Sequence, residues 1–230
     1  MNVYQEGDVN MGIKIRVWGE NALFTRPEFK AERYSYDVMT PSAARGIMES
    51  IYWHPGMKWV IDKIHVINPI KFRQVKRNEV KDKISKSQML SSMNGSDKSV
   101  YLNVNSKQVM QRNAVLLTDV EYVIEAHFIV TNEQQTHNED KIAAIVGKRI
   151  KKGKCYQTPY FGCKEFPLKF EMYNELEQKE SCYKDMDELH FGMMLYDMDY
   201  SDKENIKPIF FNSVMRNGVI DISDSEVVKR

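Results

Sequence analysis

Cysteine is scarce in this 230-residue sequence: Cys155, Cys163 and Cys182 are an odd number, and no C-x-x-C pair occurs. That argues against a disulfide framework and offers no zinc-ligand spacing, so ordinary reduced thiols are expected. Long apolar runs are missing as well. Nothing approaches the roughly 20 residues that span a bilayer, and MNVYQEGDVN lacks the basic-then-apolar pattern of a secretion signal. The expectation is a cytoplasmic protein with no membrane partner. Net charge is only +1, which by itself speaks against a generic nucleic-acid binder. No Gly-rich phosphate loop, carboxylate cluster or nucleophile elbow appears, and the acids of 174–205 lack calcium-loop spacing. Neither a metal site nor a cofactor is expected.

What is present is unevenly distributed. Residues 45–86 hold ten Lys or Arg against four acids, and 141–154 hold six basic residues and no acid. Residues 174–205 hold ten acids and three lysines. Such segregation suggests one basic face and an acidic segment held elsewhere, although solvated surface charge would look the same in composition.

The chain is organised around residues 40–70. Thr40 can cap a helix, Pro41 suits its first turn, and Ala44, Ile47, Met48, Ile51 and Tyr52 recur at the spacing of one apolar face, predicting a helix over 41–53. His54-Pro55-Gly56 stops it. Trp59, Ile61, Ile64, Val66 and Ile67 then read as a strand. Before this unit, Ile13, Ile15 and Val17 alternate with polar or amphipathic residues as in a half-buried strand, with Gly19 as its end. Residues 71–112 are polar and basic, and predict a projecting hairpin of VKRNEV with SVYLNV turning at Asn94-Gly95. A strand over 116–130 follows, then a helix over 138–150 with Asn138 as cap, then a last core strand over 160–171. Asn217-Gly218 joins two short strands near the C-terminus.

The order β, α, β, excursion, β, α, β is the split-βαβ plan. The expected fold class is therefore α+β: a ferredoxin-like, RRM-like βαββαβ domain over 1–173, with 71–112 as its hairpin insertion and a small β-rich extension over 174–230.

The stretches YSYDVMTPSAARGIMESIYWHPGMKWVIDKIHVINPIKF, KRNEV, QRN, NEDK and YFGCKEFP, in that order, resemble the CRISPR-associated RAMP endoribonuclease of type I-C Cascade. The resemblance implies cleavage of precursor CRISPR RNA within its repeat without a metal ion. It also implies retention of the mature guide's 5′ handle alongside the other Cascade subunits. The family's catalytic tyrosine matches Tyr52, and the lysine of its Lys-His pair matches Lys141. Its histidine does not match, because Ile142 stands in that place. A non-cleaving subunit that holds the 5′ handle is the alternative, and a metal-dependent nuclease a third reading.

Metal-free cleavage needs a 2′-hydroxyl aimed in line at the phosphate, stabilisation of the added negative charge, and proton transfer. A lysine suits the charge. An ordinary tyrosine offers only about 0.1% base at pH 7, so without imidazole it is expected to align the 2′-hydroxyl rather than deprotonate it. His137, four residues before Lys141, is the first candidate to supply the missing imidazole, and His54 the second; a solvent-facing turn histidine is the bland reading of His137. Lys148, Arg149, Lys151, Lys152 and Lys154 exceed what a helix C-terminus needs, which favours phosphate contact. Arg45, Arg73, Lys76, Arg77 and Arg112 complete the expected RNA contacts, so the RNA-binding set is those five with Lys148, Arg149, Lys152 and Lys154.

Overall fold

The computed structural model describes residues 12–29, 32–95, 100, 108–131, 138–177, 179–202, 204–223 and the backbone of 227–229. Its spine is one sheet ordered β10-β8-β9-β3-β5-β1-β6, with β2 and β4 also on β5 and β7 on β8. The strands are β1 (Ile13–Ala22), β2 (Arg33–Tyr34), β3 (Met57–Val66), β4 (Phe72–Val80), β5 (Val109–Val130), β6 (Lys169–Met172), β7 (Leu189–Asp199), β8 (Lys207–Arg216), β9 (Val219–Asp221) and β10 (Val227–Lys229). The helices are α1 (Pro41–Ile51), α2 (Lys86–Met93) and α3 (Glu139–Lys151).

Alternation in β1 buries Ile15 and Val17 on the helix side. Gly19, expected to end the strand, lies inside it. The Phe161 ring packs so closely there that a Cβ would stand 3.2 Å from it. On the other face of the sheet, cross-strand ion pairs replace apolar packing: Lys14 with Glu125 at 2.8 Å, and Arg16 with Glu121 at 2.7 Å and Glu171 at 2.8 Å. Burial disfavours the Glu121 charge, but hydrogen bonds from Lys179 and Arg16 outweigh it and hold this carboxyl below the usual carboxylate range. Glu125 is held low in the same way by Lys14 and His65. A carboxyl lowered on folding contributes stability above its unfolded pKa, and that contribution disappears as pH falls through the lowered value. The melting temperature is thus expected to be flat above about pH 5 and to fall steeply below about pH 4. Glu121→Gln should lower it at pH 7 and flatten the acid limb in a calorimetric pH series.

Thr40 caps α1 as expected, its side chain accepting the Ala43 N–H at 3.3 Å. The buried stripe is Ala44, Ile47, Met48 and Ile51. The helix ends at Ile51, two residues before the sequence expectation, because Tyr52 is already extended. α1 packs on β3 and α3 packs on β6, and the two helices touch, so both cover one face of the sheet. Core residues Trp59, Tyr36, Phe161 and Phe211 are fully buried there.

β5 is a single 22-residue strand, longer than the expected 116–130. Its first part pairs β4 from Val80↔Val109 to Phe72↔Leu117, and its second part lies between β1 and β3. A strand pair does form in this stretch, but with a different partner. β4 pairs with 109–117 rather than SVYLNV, of which only Val100 lies among the described residues. Asn94 and Gly95 end helix α2 instead of making a two-residue hairpin turn. The capping box of Ser85 with Gln88 starts that helix, and a polar cap signal was available in the sequence.

The expected strand over 160–171 shrinks to β6, preceded by an irregular segment held by a Tyr160↔Pro167 bridge. Asn217 (φ 50°) and Gly218 (φ 81°) do turn β8 into β9, with the two positive φ values that a tight hairpin demands. β9 then pairs β3, so the strands from 189 onward widen the same sheet, and Met194, Phe211, Met215 and Ile220 join the same core.

Candidate active site and nucleic-acid interface

Tyr52 leaves α1 with φ −153° and ψ 128°, still donating its N–H to the Met48 carbonyl. Extended backbone sends successive side chains to opposite sides. The Tyr52 ring therefore turns inward, 6% exposed, and Trp53 outward, 54% exposed. Buried Trp59 donates its indole N–H to the Tyr52 carbonyl at 2.8 Å. From α3, the Arg149 guanidinium donates to the Ile51 carbonyl at 3.0 Å and lies 5.2 Å from the centre of the Tyr52 ring. One arginine thus meets the negative end of the α1 dipole and covers an aromatic face.

The Ser50 carbonyl accepts the N–H groups of Tyr156 and Gln157 at 2.8 and 3.1 Å. Segment 155–162 is thereby held against α1, and a cleft of about 800 Å³ runs between them, lined by Ser42, Gly46, Ser50, Trp53, Tyr156 and Tyr160 among others. Gly162 borders it with φ +78°, where a Cβ would collide with the Leu23 carbonyl, so glycine alone fits.

Lys141 stands on the first turn of α3, exposed, its N–H capped by Asn138 Oδ1 at 3.2 Å. Arg149 is eight residues further on, roughly 12 Å along the helix axis. Tyr52 and Lys141 share a face of the sheet, but no hydrogen bond among the described residues joins them. The α3 residue recorded against Tyr52 is Arg149, which the sequence pattern offered only as a phosphate contact. Ile142 is fully buried and packs in the core. His137 lies outside the described residues. His54 is half-buried, its Nδ1 donating to the Pro55 carbonyl at 2.8 Å.

The expected RNA contacts divide by what they already touch. Arg45 is held between Asp197 (3.0 and 2.8 Å) and Glu49 (2.5 Å), so the acidic strand β7 lies against α1. Arg77 pairs with Glu165, and Arg112 stands 3.5 Å from Glu79. In contrast, Arg73, Lys76, Lys148, Lys152 and Lys154 are exposed and have no carboxylate within 4 Å among the described residues. Desolvating a free surface lysine against phosphate breaks no existing pair, so these five are the better placed cations. In titrations over a salt series, Lys152→Ala and Lys154→Ala are each expected to reduce the slope of log affinity by about 0.7–0.9. Arg45→Ala should leave that slope unchanged and lower the melting temperature instead.

Among the described residues no three His, Cys, Asp or Glu side chains converge as a metal-ligand group. No helix among them is long and apolar enough to cross a membrane. Cys155, Cys163 and Cys182 are free thiols.

Known proteins match this chain over nearly its whole length. The family model Cas_Cas5d, described as CRISPR-associated protein (Cas_Cas5), matches residues 12–223. A Mannheimia succiniciproducens protein named CRISPR pre-crRNA endoribonuclease Cas5d is 41% identical over 223 residues, covering 95% of this chain and 98% of its own. A Thermus thermophilus protein of the same name is 36% identical over 158 residues, covering 69% of this chain and 62% of its own. Among solved structures, one described as a CRISPR-associated protein aligns with a TM-score of 0.66 at 26% identity, over 95% of this chain and 97% of its own. A functionally uncharacterized Streptococcus mutans protein shares the fold, with a TM-score of 0.67 at 24% identity and the same coverage. With a family match from residue 12 to 223 and a relative 41% identical over 95% of this chain, the chain belongs to the Cas5d family of CRISPR-associated proteins.

Proposed function

We propose that this protein cleaves precursor CRISPR RNA within its repeat, without a metal ion, and keeps the 5′ handle of the product as a subunit of a type I-C Cascade. The observation that carries the reading is the end of α1: a clamped tyrosine beside a cleft whose neighbouring segment, 148–154, presents cations free of carboxylates. The names of the two relatives support the same activity. A ferredoxin-like core over 1–173 carrying the 71–112 projection, with 174–230 as an extension, belongs to this reading. The strand order β3-β5-β1-β6, antiparallel at each step, supports it.

In the proposed reaction the ribose 2′-hydroxyl attacks the adjacent phosphorus, its proton leaves, and the P–O bond to the 5′ oxygen breaks. The products are a 2′,3′-cyclic phosphate and a 5′-hydroxyl. Tyr52 aligns the nucleophile, and Lys141 neutralises the charge that grows on the phosphoryl oxygens. His137 transfers protons. Loss of that imidazole in His137→Ala should lower the cleavage rate at least about tenfold and leave RNA affinity intact; an unchanged rate removes it from the mechanism.

A second reading, a subunit that holds the handle without cutting, is favoured by one observation: the position of the family histidine is filled by Ile142, which is fully buried. Incubating the purified protein with its own repeat RNA in EDTA, then mapping both ends, decides between them. A single cut bearing a cyclic phosphate supports cleavage, and binding without a cut supports the second reading. Cutting only after Mg²⁺ is added overturns the metal-free mechanism.

A further inference from the structure

Trp53 and Tyr156 are large aromatics left in water, 54% and 83% exposed. Neither is loose. Trp53 follows directly on the clamped Tyr52, and the Tyr156 backbone is fixed by its N–H to the Ser50 carbonyl at 2.8 Å. Both line the cleft of about 800 Å³ along α1, whose α1 wall is low at Ala43, Gly46 and Ser50 and also carries Ser42 and Glu49, the latter paired with Arg45 at 2.5 Å. Such a wall leaves room for a flat ring to approach the aromatic faces. The chain enters this cleft directly from Lys151, Lys152 and Lys154, all exposed and without a carboxylate partner among the described residues. Exposed aromatic faces beside free cations are the chemistry of single-stranded nucleic acid recognition, where bases stack and the backbone meets positive charge.

We infer that this cleft takes an unpaired nucleobase of the bound RNA strand, stacked on Trp53 with Tyr156 as the second platform and the flanking phosphates on Lys152 and Lys154. The inference rests on the RNA-cleaving reading above, and it adds that strand selection at this end of α1 comes from stacking, which tolerates any base.

The probe is a fluorescein-labelled repeat RNA with 2′-fluoro sugars throughout, which has no 2′-hydroxyl and cannot be cut. Trp53→Ala and Tyr156→Ala should each weaken its binding about fivefold or more in anisotropy titrations, and Trp53→Phe should bind nearly as the unaltered protein does. RNA should quench tryptophan fluorescence, and Trp53→Phe should lose most of that quench while circular dichroism stays unchanged. Unaltered affinity of both alanine variants, with RNA bound by the unaltered protein and no quench, overturns the stacking proposal alone. Failure of the unaltered protein to bind the repeat overturns the proposed function together with it.

Discussion

Lys141→Ala is expected to slow repeat cleavage by about 10²–10³-fold, with RNA still bound. The lysine is exposed on the first turn of α3 and has no carboxylate within 4 Å among the described residues, so its removal leaves no buried group unpaired and should not unfold the protein. It stands in the first turn of a helix, its own N–H capped by Asn138, where a cation is unfavourable by about 0.3–1 kcal/mol and an anionic oxygen is favoured. An arriving phosphate relieves that cost. Tyr52→Phe removes one hydroxyl from a ring that stays packed under Arg149, and should slow cleavage by about 10²-fold or more. Single-turnover rates at saturating protein measure both. If both variants cut at the unaltered rate, the reactive groups lie elsewhere.

Trp59→Ala has the second large effect, on folding rather than chemistry. The indole is fully buried, meets Phe128 edge-on at 5.6 Å, and donates to the Tyr52 carbonyl. Truncating a buried Trp costs about 3–5 kcal/mol, a large share of the 5–15 kcal/mol that holds a typical domain together. Urea denaturation should show a much lower midpoint with an unchanged slope. Trp59→Phe separates the two roles. Most of the packing survives, but the Tyr52 carbonyl loses its donor, a cost of about 1–3 kcal/mol. Because that bond sets where the chain leaves α1, the Phe variant should remain folded at 25 °C yet cleave more slowly than the unaltered protein.

Local signals carried much of the fold. Thr40, Pro41 and the three-and-four stripe specify α1, Asn138 and its following acids specify α3, and Asn217-Gly218 specifies the last hairpin, because caps and turns depend on neighbours a few residues apart. Partner choice was another matter. Nothing near VKRNEV announces that its mate is 109–117, since strand pairing is decided over tens of residues by competing registers. Gly19 reads as a stop and is a contact, because only the fold brings Phe161 onto it.

The amino-acid sequence by itself determined that Tyr52 would end a buried helical face, that Lys141 would open the second helix, and that an imidazole is absent beside it. Tertiary structure decided which cations remain free. Asp197, Glu165 and Glu79 lie far away along the chain or on another strand from the arginines they neutralise, and the arrival of such a carboxylate cannot be read from local charge counts. It also decided that Arg149, of the five basic residues from Lys148 to Lys154, is the one that grips Tyr52: helical period and the crossing of α1 by α3 send that side chain, and not Lys148 or Lys152, across the end of the first helix.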